Sequence, residues 1–255
     1  MNEINYLIEG SGEPVVFIHG LSDSLMYWQA LTSDFTNNYR VLRYDLRGHG
    51  ETPLGSDEIS VELFSDDLKN LLDDLNIKKA HIVGFSLGGA VALDFSLKNP
   101  SYVSSMVLMS SYFNAACSDE KFYKQMIESI DDSYEAFYDY MIPLVLCPNV
   151  IDENKEELEI LKQVSALTAN SEGIKKAIIA CSNFNVEDRL CEINIPTLIL
   201  AGRYDEIYPV EIQKELNSKI KNSKLVIIEN IKHNLLVGEN IAKISYILND
   251  FFKNY

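Results

Sequence analysis

Apolar residues in this chain gather in short unbroken runs. They occupy 15–18 (VVFI), 40–45 (RVLRYD), 80–85 (AHIVGF), 105–110 (SMVLMS), 197–202 (TLILAG) and 225–228 (LVII). A strand that is apolar on both faces suits a parallel sheet covered by helices on each side. Between the runs the period lengthens to that of a helix. Over 60–77, Leu63, Leu68, Leu71, Leu72 and Leu75 form one stripe with carboxylates opposite, and Ser60 is placed to cap it. Residues 87–98 and 241–252 carry further helical patterns. Strand and helix alternate, which predicts an α/β fold with a doubly wound, mostly parallel sheet.

One stretch breaks the alternation. Residues 113–189 hold no strand pattern; their period is helical and their aromatics cluster, as in FYDYM at 137–141. The sheet pattern resumes at Ile195, Pro196 and Thr197. A helical block inserted between strands of an open sheet is expected to cap the strand ends, where such sheets bind ligands. The expected organisation is a discontinuous core of residues 1–112 and 190–255 with a helical cap or lid at 113–189.

Composition narrows the function. Of 255 residues 47% are hydrophobic and 24% charged, an ordinary balance for a globular protein. The formal charge is 22 − 38 = −16, which disfavours nucleic acid and anionic membrane surfaces as partners. The opening residues, MNEINYLIEGSGEP, have no basic segment followed by an apolar one, and no apolar run approaches the ~20 residues of a membrane span. Cys117, Cys147, Cys181 and Cys191 lie 30, 34 and 10 positions apart with no C-x-x-C pair. Reduced thiols in a cytoplasmic protein are expected, without a structural metal. A small-molecule substrate and a monomer or homodimer are the expected partner and state.

The chemistry centres on HIVGFSLGGAVALDF, residues 81–95. Gly84-Phe85-Ser86-Leu87-Gly88 is a G-x-S-x-G sequence lying between a buried strand and a helix, the context its mechanics require. A serine on so sharp a turn is strained and exposed, and side chains two positions either side would collide, which selects Gly84 and Gly88. The amide of Leu87, at the helix N-terminus, is left free to donate to an anion.

A serine nucleophile needs a base held by a carboxylate. Of the four histidines, His19 and His49 sit in tight turns and His81 begins the nucleophile's own strand, at the wrong end. His233 follows the last strand and precedes the last helix, so it can reach the strand C-termini. For the acid, LILAGRYDEIYP offers Asp205 close to a strand end, with Glu206 as the alternative. The chain order Ser86, Asp205, His233 is the Ser…Asp/Glu…His order of one class of hydrolases.

On these motifs the chain resembles the α/β-hydrolase fold superfamily over nearly its whole length apart from the cap. FIHGLSDS (17–24) resembles the family's oxyanion loop, which implies an oxyanion hole formed by the backbone N–H groups of Leu21 and Leu87. YDLRGHGET (44–52) resembles a turn that is structural in the family, so Asp45, Arg47 and His49 receive no chemistry. One departure is Lys232 before His233, where the family most often has glycine. GLSDSLMYWQAL and YRVLRYDLRGHGET are most similar to the serine esterase and lactonase branch, which includes 3-oxoadipate enol-lactonases and cofactor-free haloperoxidase-like esterases. Ser86 argues against the dehalogenase and epoxide hydrolase branches, whose nucleophile is aspartate.

The resemblance implies hydrolysis of a carboxylic ester or lactone through an acyl-enzyme, with no cofactor and no metal. C–C bond hydrolysis or thioester cleavage by the same triad, and a weakly hydrolytic binding protein on the same fold, are the alternatives. Activity is expected to fall on the acid side as the base takes up a proton. Trp28, Phe85 and Tyr138 are the candidate substrate contacts; Tyr27 and Trp28, close after the oxyanion loop, are both placed to border the pocket, with a core role the better fit for Trp28. Aromatics such as Phe113, Phe122, Tyr123, Phe137 and Tyr140 either line an acyl pocket or fill the cap's core. Arginines are few, only Arg189 falling in 113–189, so a dicarboxylate substrate lacks its expected clamp.

Overall fold

The computed structural model describes residues 4–255, without the side chain of Glu120. The first three residues of the N-terminal stretch inspected for a leader lie outside the described residues. Seven strands form one sheet: β1 (Tyr6–Glu9), β2 (Glu13–Ile18), β3 (Tyr39–Tyr44), β4 (Ala80–Phe85), β5 (Val103–Met109), β6 (Thr197–Gly202) and β7 (Ser223–Ile228). Their order is β1-β3-β2-β4-β5-β6-β7, and only β1 runs antiparallel, along β3. All six runs of the sequence pattern are strands. β1 has no such run because it is a short edge strand whose residues are mostly exposed.

The unbroken apolar runs are explained by which face each residue joins. Val15 and Phe17 of β2 pack with Trp28, Leu31, Phe35 and Leu248 in one cluster. Val16 and Ile18 pack with Phe64, Leu68, Ala90 and Leu93 in the other. Successive side chains alternate across the pleat, and both faces are covered, so neither alternates into water. Helices α1 (Gln29–Thr32), α2 (Val61–Asp74) and α3 (Leu87–Lys98) belong to this covering. Ser60 caps α2 by accepting from Leu63 N at 3.1 Å. The stripe on α2 differs from the expected one: Phe64, Leu68, Leu71 and Leu72 are buried, while Leu63 and Leu75 are only partly so. Asp67 is not among the solvated carboxylates either. It is buried against Arg47, whose Nε and Nη2 donate to it at 2.8 and 2.6 Å.

Between β5 and β6 lie α4 (Glu120–Asp132), α5 (Tyr134–Val145), α6 (Pro148–Glu153), α7 (Lys155–Thr168) and α8 (Ser171–Asn183). Ser133 starts α5 by accepting from Ala136 N at 3.0 Å, and Asn170 starts α8 by accepting from Gly173 N at 2.9 Å. The two ends of this block meet: Asn114 and Asn185 form an antiparallel bridge, flanked by Ala115 N to Phe184 O at 2.8 Å and Val186 N to Phe113 O at 2.9 Å. The block therefore leaves and rejoins the sheet at one place. Helices α9 (Val210–Lys219) and α10 (Asn240–Phe252) complete the chain. Among the described residues no helix is long and apolar enough to cross a membrane.

Strand order fixes where a crevice can open. The chain builds β1 to β3 on one side of β2, then crosses to place β4 on the other, with Ile18 beside Gly84. Loops after β2 and β4 consequently diverge at a switch point, the place where open α/β sheets form ligand crevices.

Candidate active site

Ser86 stands between the end of β4 and the start of α3 with φ 51° and ψ −115°, a left-handed conformation that is costly for a residue bearing a Cβ. The flanking glycines have a steric reason. A Cβ at Gly84 would enter the carbonyl of Gly88, and one at Gly88 would enter the carbonyls of Ile18 and His19. A Cβ at Gly89 would run into Ser111 Oγ. The turn is seated on its neighbours so closely that only hydrogen fits at these positions.

The sheet brings together the three residues that sequence order singled out. Ser86 Oγ lies 3.0 Å from His233 Nε2, and His233 Nδ1 lies 2.8 Å from Asp205 Oδ2. Asp205 leaves β6 and His233 follows β7, strands that pair directly. The second oxygen of Asp205 accepts from the amides of Ile207 and Tyr208 at 2.9 and 3.0 Å. A carboxylate so held has one oxygen left for the imidazole, and with Nδ1 donating to it, Nε2 becomes the acceptor for the Ser86 hydroxyl. Glu206 is exposed and paired with Lys232 Nζ at 3.0 Å, away from the imidazole.

The other histidines are held elsewhere. His19 Nε2 accepts from Leu46 N at 2.9 Å and Nδ1 lies 2.7 Å from Gly20 O, so both nitrogens are engaged. Burial, and then the nearby His49, push its pKa down to about 3. His81 lies at the start of β4, stacked on Phe252 with centroids 4.5 Å apart. Asp45 accepts from Leu25 N, Asn5 Nδ2 and Glu51 N at 2.6, 2.7 and 2.9 Å, the structural role expected of its turn.

Leu21 and Leu87 flank Ser86 across the switch point, and both line the same cavity as Ser86 and His233. Among the described residues neither amide enters a backbone hydrogen bond. The Leu87 amide opens α3, where the helix dipole adds positive potential.

The cavity measures about 340 Å³ and extends from Ser86 under α4, α5 and α7. Phe85 and Tyr138 line it, as do Phe122, Tyr123 and Phe137; Phe113 and Tyr140 do not. Trp28 does not reach it. Its ring is fully buried beneath Tyr27 and against Phe17, with centroids 4.9 and 5.1 Å away. Tyr27 takes the pocket position, stacked on Phe85 at 4.8 Å and donating to Asn234 Oδ1 at 3.0 Å.

Sequence reasoning missed three participants. Lys232, the departure from the family's usual glycine, donates to Pro143 O of α5 at 2.8 Å while pairing with Glu206. Asn234 N donates to Val145 O at 3.0 Å, so the loop bearing His233 is tied to α5 on both sides of the imidazole. Asp23, in the loop after β2, lines the same cavity as Ser86 and His233. Of the three, only Lys232 stood out in the sequence, by breaking the pattern.

Comparison with known proteins agrees with this fold. The family model described as alpha/beta hydrolase fold matches residues 13–150, more than half of the 255. The chain is 29% identical over 249 residues to the AB hydrolase superfamily protein YisY of Bacillus subtilis (strain 168), covering 95% of this chain and 92% of that one. Bromoperoxidase from Bacillus anthracis superposes with a TM-score of 0.90 at 26% identity, over 99% of this chain and 96% of the other. The enol-lactonase of Burkholderia xenovorans LB400 superposes at 0.91 over 99% and 97% of the two chains; at 20% identity it bears on the fold alone. The sheet, the strained serine turn and these likenesses lead to one statement: the chain belongs to the alpha/beta hydrolase fold family and is a hydrolase.

Proposed function

We propose that this hydrolase cleaves a carboxylic ester or lactone of a small, largely apolar molecule, with Ser86 as nucleophile, His233 as general base and acid, and Asp205 as the group that orients it. One observation carries the reading: a serine hydroxyl in a strained turn, 3.0 Å from an imidazole nitrogen whose other nitrogen lies 2.8 Å from a buried carboxylate. His233 takes the hydroxyl proton as Ser86 Oγ attacks the carbonyl. Asp205 keeps the tautomer and stabilises the imidazolium that forms. The amides of Leu21 and Leu87 donate to the oxyanion, each worth about 3 kcal/mol in the transition state. His233 then protonates the leaving oxygen, and a water activated by the same imidazole releases the acyl group. The block 113–189 serves as the cap, supplying the apolar wall that holds the acyl chain and excludes water.

The test is turnover of short-chain p-nitrophenyl esters together with labelling by a serine-directed phosphonate. Ser86→Ala is expected to lose both, turnover by a factor of about 10³ or more. Labelling that survives the substitution would remove Ser86 from its role. Labelling without ester turnover in the wild type would shift the substrate to a C–C or thioester bond.

A further inference from the structure

The cavity is lined by one carboxyl, that of Asp23, which the chemistry above does not use. Asp23 stands two residues beyond Leu21, in the loop that follows β2. Its carboxyl leans over Gly20, where a Cβ would lie 3.3 Å from Asp23 Oδ2 and 2.9 Å from Phe85 Cδ1. Ser22, which joins Leu21 to Asp23, holds φ 61°. Backbone strain therefore sits at the residue linking a candidate oxyanion donor to this carboxyl.

The carboxylates buried among the described residues, Asp45, Asp67, Asp94 and Asp205, are each paired, Asp94 with Lys98 Nζ at 2.9 Å. Asp45 has three donors, Asp67 has the fork of Arg47, and Asp205 has two amides and an imidazole. Asp23 has no such support among the described residues. Burial alone raises its pKa, to about 7, and the charge of His233 alone opposes the rise. The side chain nevertheless keeps some accessible surface, as expected of a group that faces a cavity. A carboxyl drawn out of water without a donor is destabilising, and a ligand offering one would relieve it. The lining contains no lysine and no arginine, so nothing in the cavity compensates a second negative charge.

Resting on the hydrolase reading, we propose that Asp23 is the specificity-determining residue of this pocket. It favours neutral or cationic substrates that bring a hydrogen-bond donor or positive charge into the cavity, and it turns away substrates carrying a carboxylate there. Tyr27 of the same segment and Tyr134 of α5 also feel its charge; burial raises both phenols, so they stay neutral through the assay range. His233 is the other neighbour whose charge acts on Asp23. It scales the rates of all substrates together, so a ratio of two substrates isolates Asp23.

The test uses p-nitrophenyl esters of matched six-carbon acids: hexanoate, 6-hydroxyhexanoate, 6-(trimethylammonio)hexanoate and the adipate monoester. Wild type is expected to prefer hexanoate over adipate by about tenfold or more in kcat/KM, the preference growing from pH 6 to 8.5. Asp23→Asn is expected to raise adipate turnover relative to hexanoate by about tenfold and to lower that of the cation relative to hexanoate by about fivefold. Far-ultraviolet circular dichroism and the urea midpoint report that the protein is folded, and Asp23→Ala provides a second variant. An adipate-to-hexanoate ratio unmoved by either substitution would overturn the proposal. Calorimetry of the four corresponding amides on Ser86→Ala, with and without Asp23→Asn, gives the binding order without chemistry. The role of Asp23 is therefore decided even if the esters are not turned over.

Discussion

Single residues at this site stand in conformations or ionisation states that folding alone would not select. Ser86 and Ser22 both hold positive φ, and Asp23 holds a carboxyl where burial lifts its pKa from 3.8 to about 7. The consequence for stability has a definite sign. A group whose folded pKa is raised adds stability that is present below its ordinary pKa and lost as pH rises through the folded value. Asp23 therefore weakens the fold between about pH 4 and 7, and asparagine, which never ionises, does not. The advantage of Asp23→Asn over wild type in urea unfolding is expected to grow by about 2 kcal/mol between pH 5 and 8.5, after allowance for the group's partial exposure. A difference that stays constant with pH would show that Asp23 is not ionising inside the protein. A gain in stability combined with altered specificity is the usual mark of a residue kept for function.

At the scale of elements, the site is assembled by strand pairing and close helix seating. The contact of α3 with β2 passes through Gly88, whose hydrogen faces the carbonyls of Ile18 and His19. Those carbonyls belong to the end of a central strand and the loop after it, so they cannot retreat without disturbing the sheet. Gly88→Ala is accordingly expected to cost about 3 kcal/mol or more and to displace Ser86 from His233. Urea midpoint and phosphonate labelling would both fall; a variant of native stability that still labels would refute the steric reading. On the opposite side of the crevice, α5 is fastened to the loop of His233 by Lys232 and Asn234. The same helix supplies Phe137, Tyr138 and Met141 to the pocket wall, so the imidazole and the wall form one connected structure.

The molecule as a whole carries three buried histidines besides His233, and all three have lowered pKa values, burial being the largest cause. His19 is the clearest, falling from 6.5 to about 3. Since the buried form is neutral, its contribution is present above pH 6.5 and lost as pH falls towards 3. Between pH 6.5 and 5, His19 alone accounts for about 2 kcal/mol. Asp23 acts in the opposite sense over that range, so the measurement belongs in the Asp23→Asn background, where stability is expected to drop from pH 7 to 5. A flat profile there would mean that these imidazoles protonate without unfolding. The same division between local pattern and three-dimensional context runs through the fold and the site. Unbroken apolar runs and helical periods specified the doubly covered sheet and its helices, because burial on both faces leaves a period that sequence displays directly. Motif order singled out Ser86, Asp205 and His233, since a sharp strand-to-helix turn demands glycines at set spacings and catalytic partners follow particular strands. Edge strand β1 escaped because it buries too little to leave a pattern. The choice between Tyr27 and Trp28 at the pocket wall, the tie from Lys232 to α5 and the carboxyl of Asp23, without a partner among the described residues, were decided only by the tertiary structure. Each depends on what lies across a crevice from residues far away in the chain, and no local spacing encodes that neighbour.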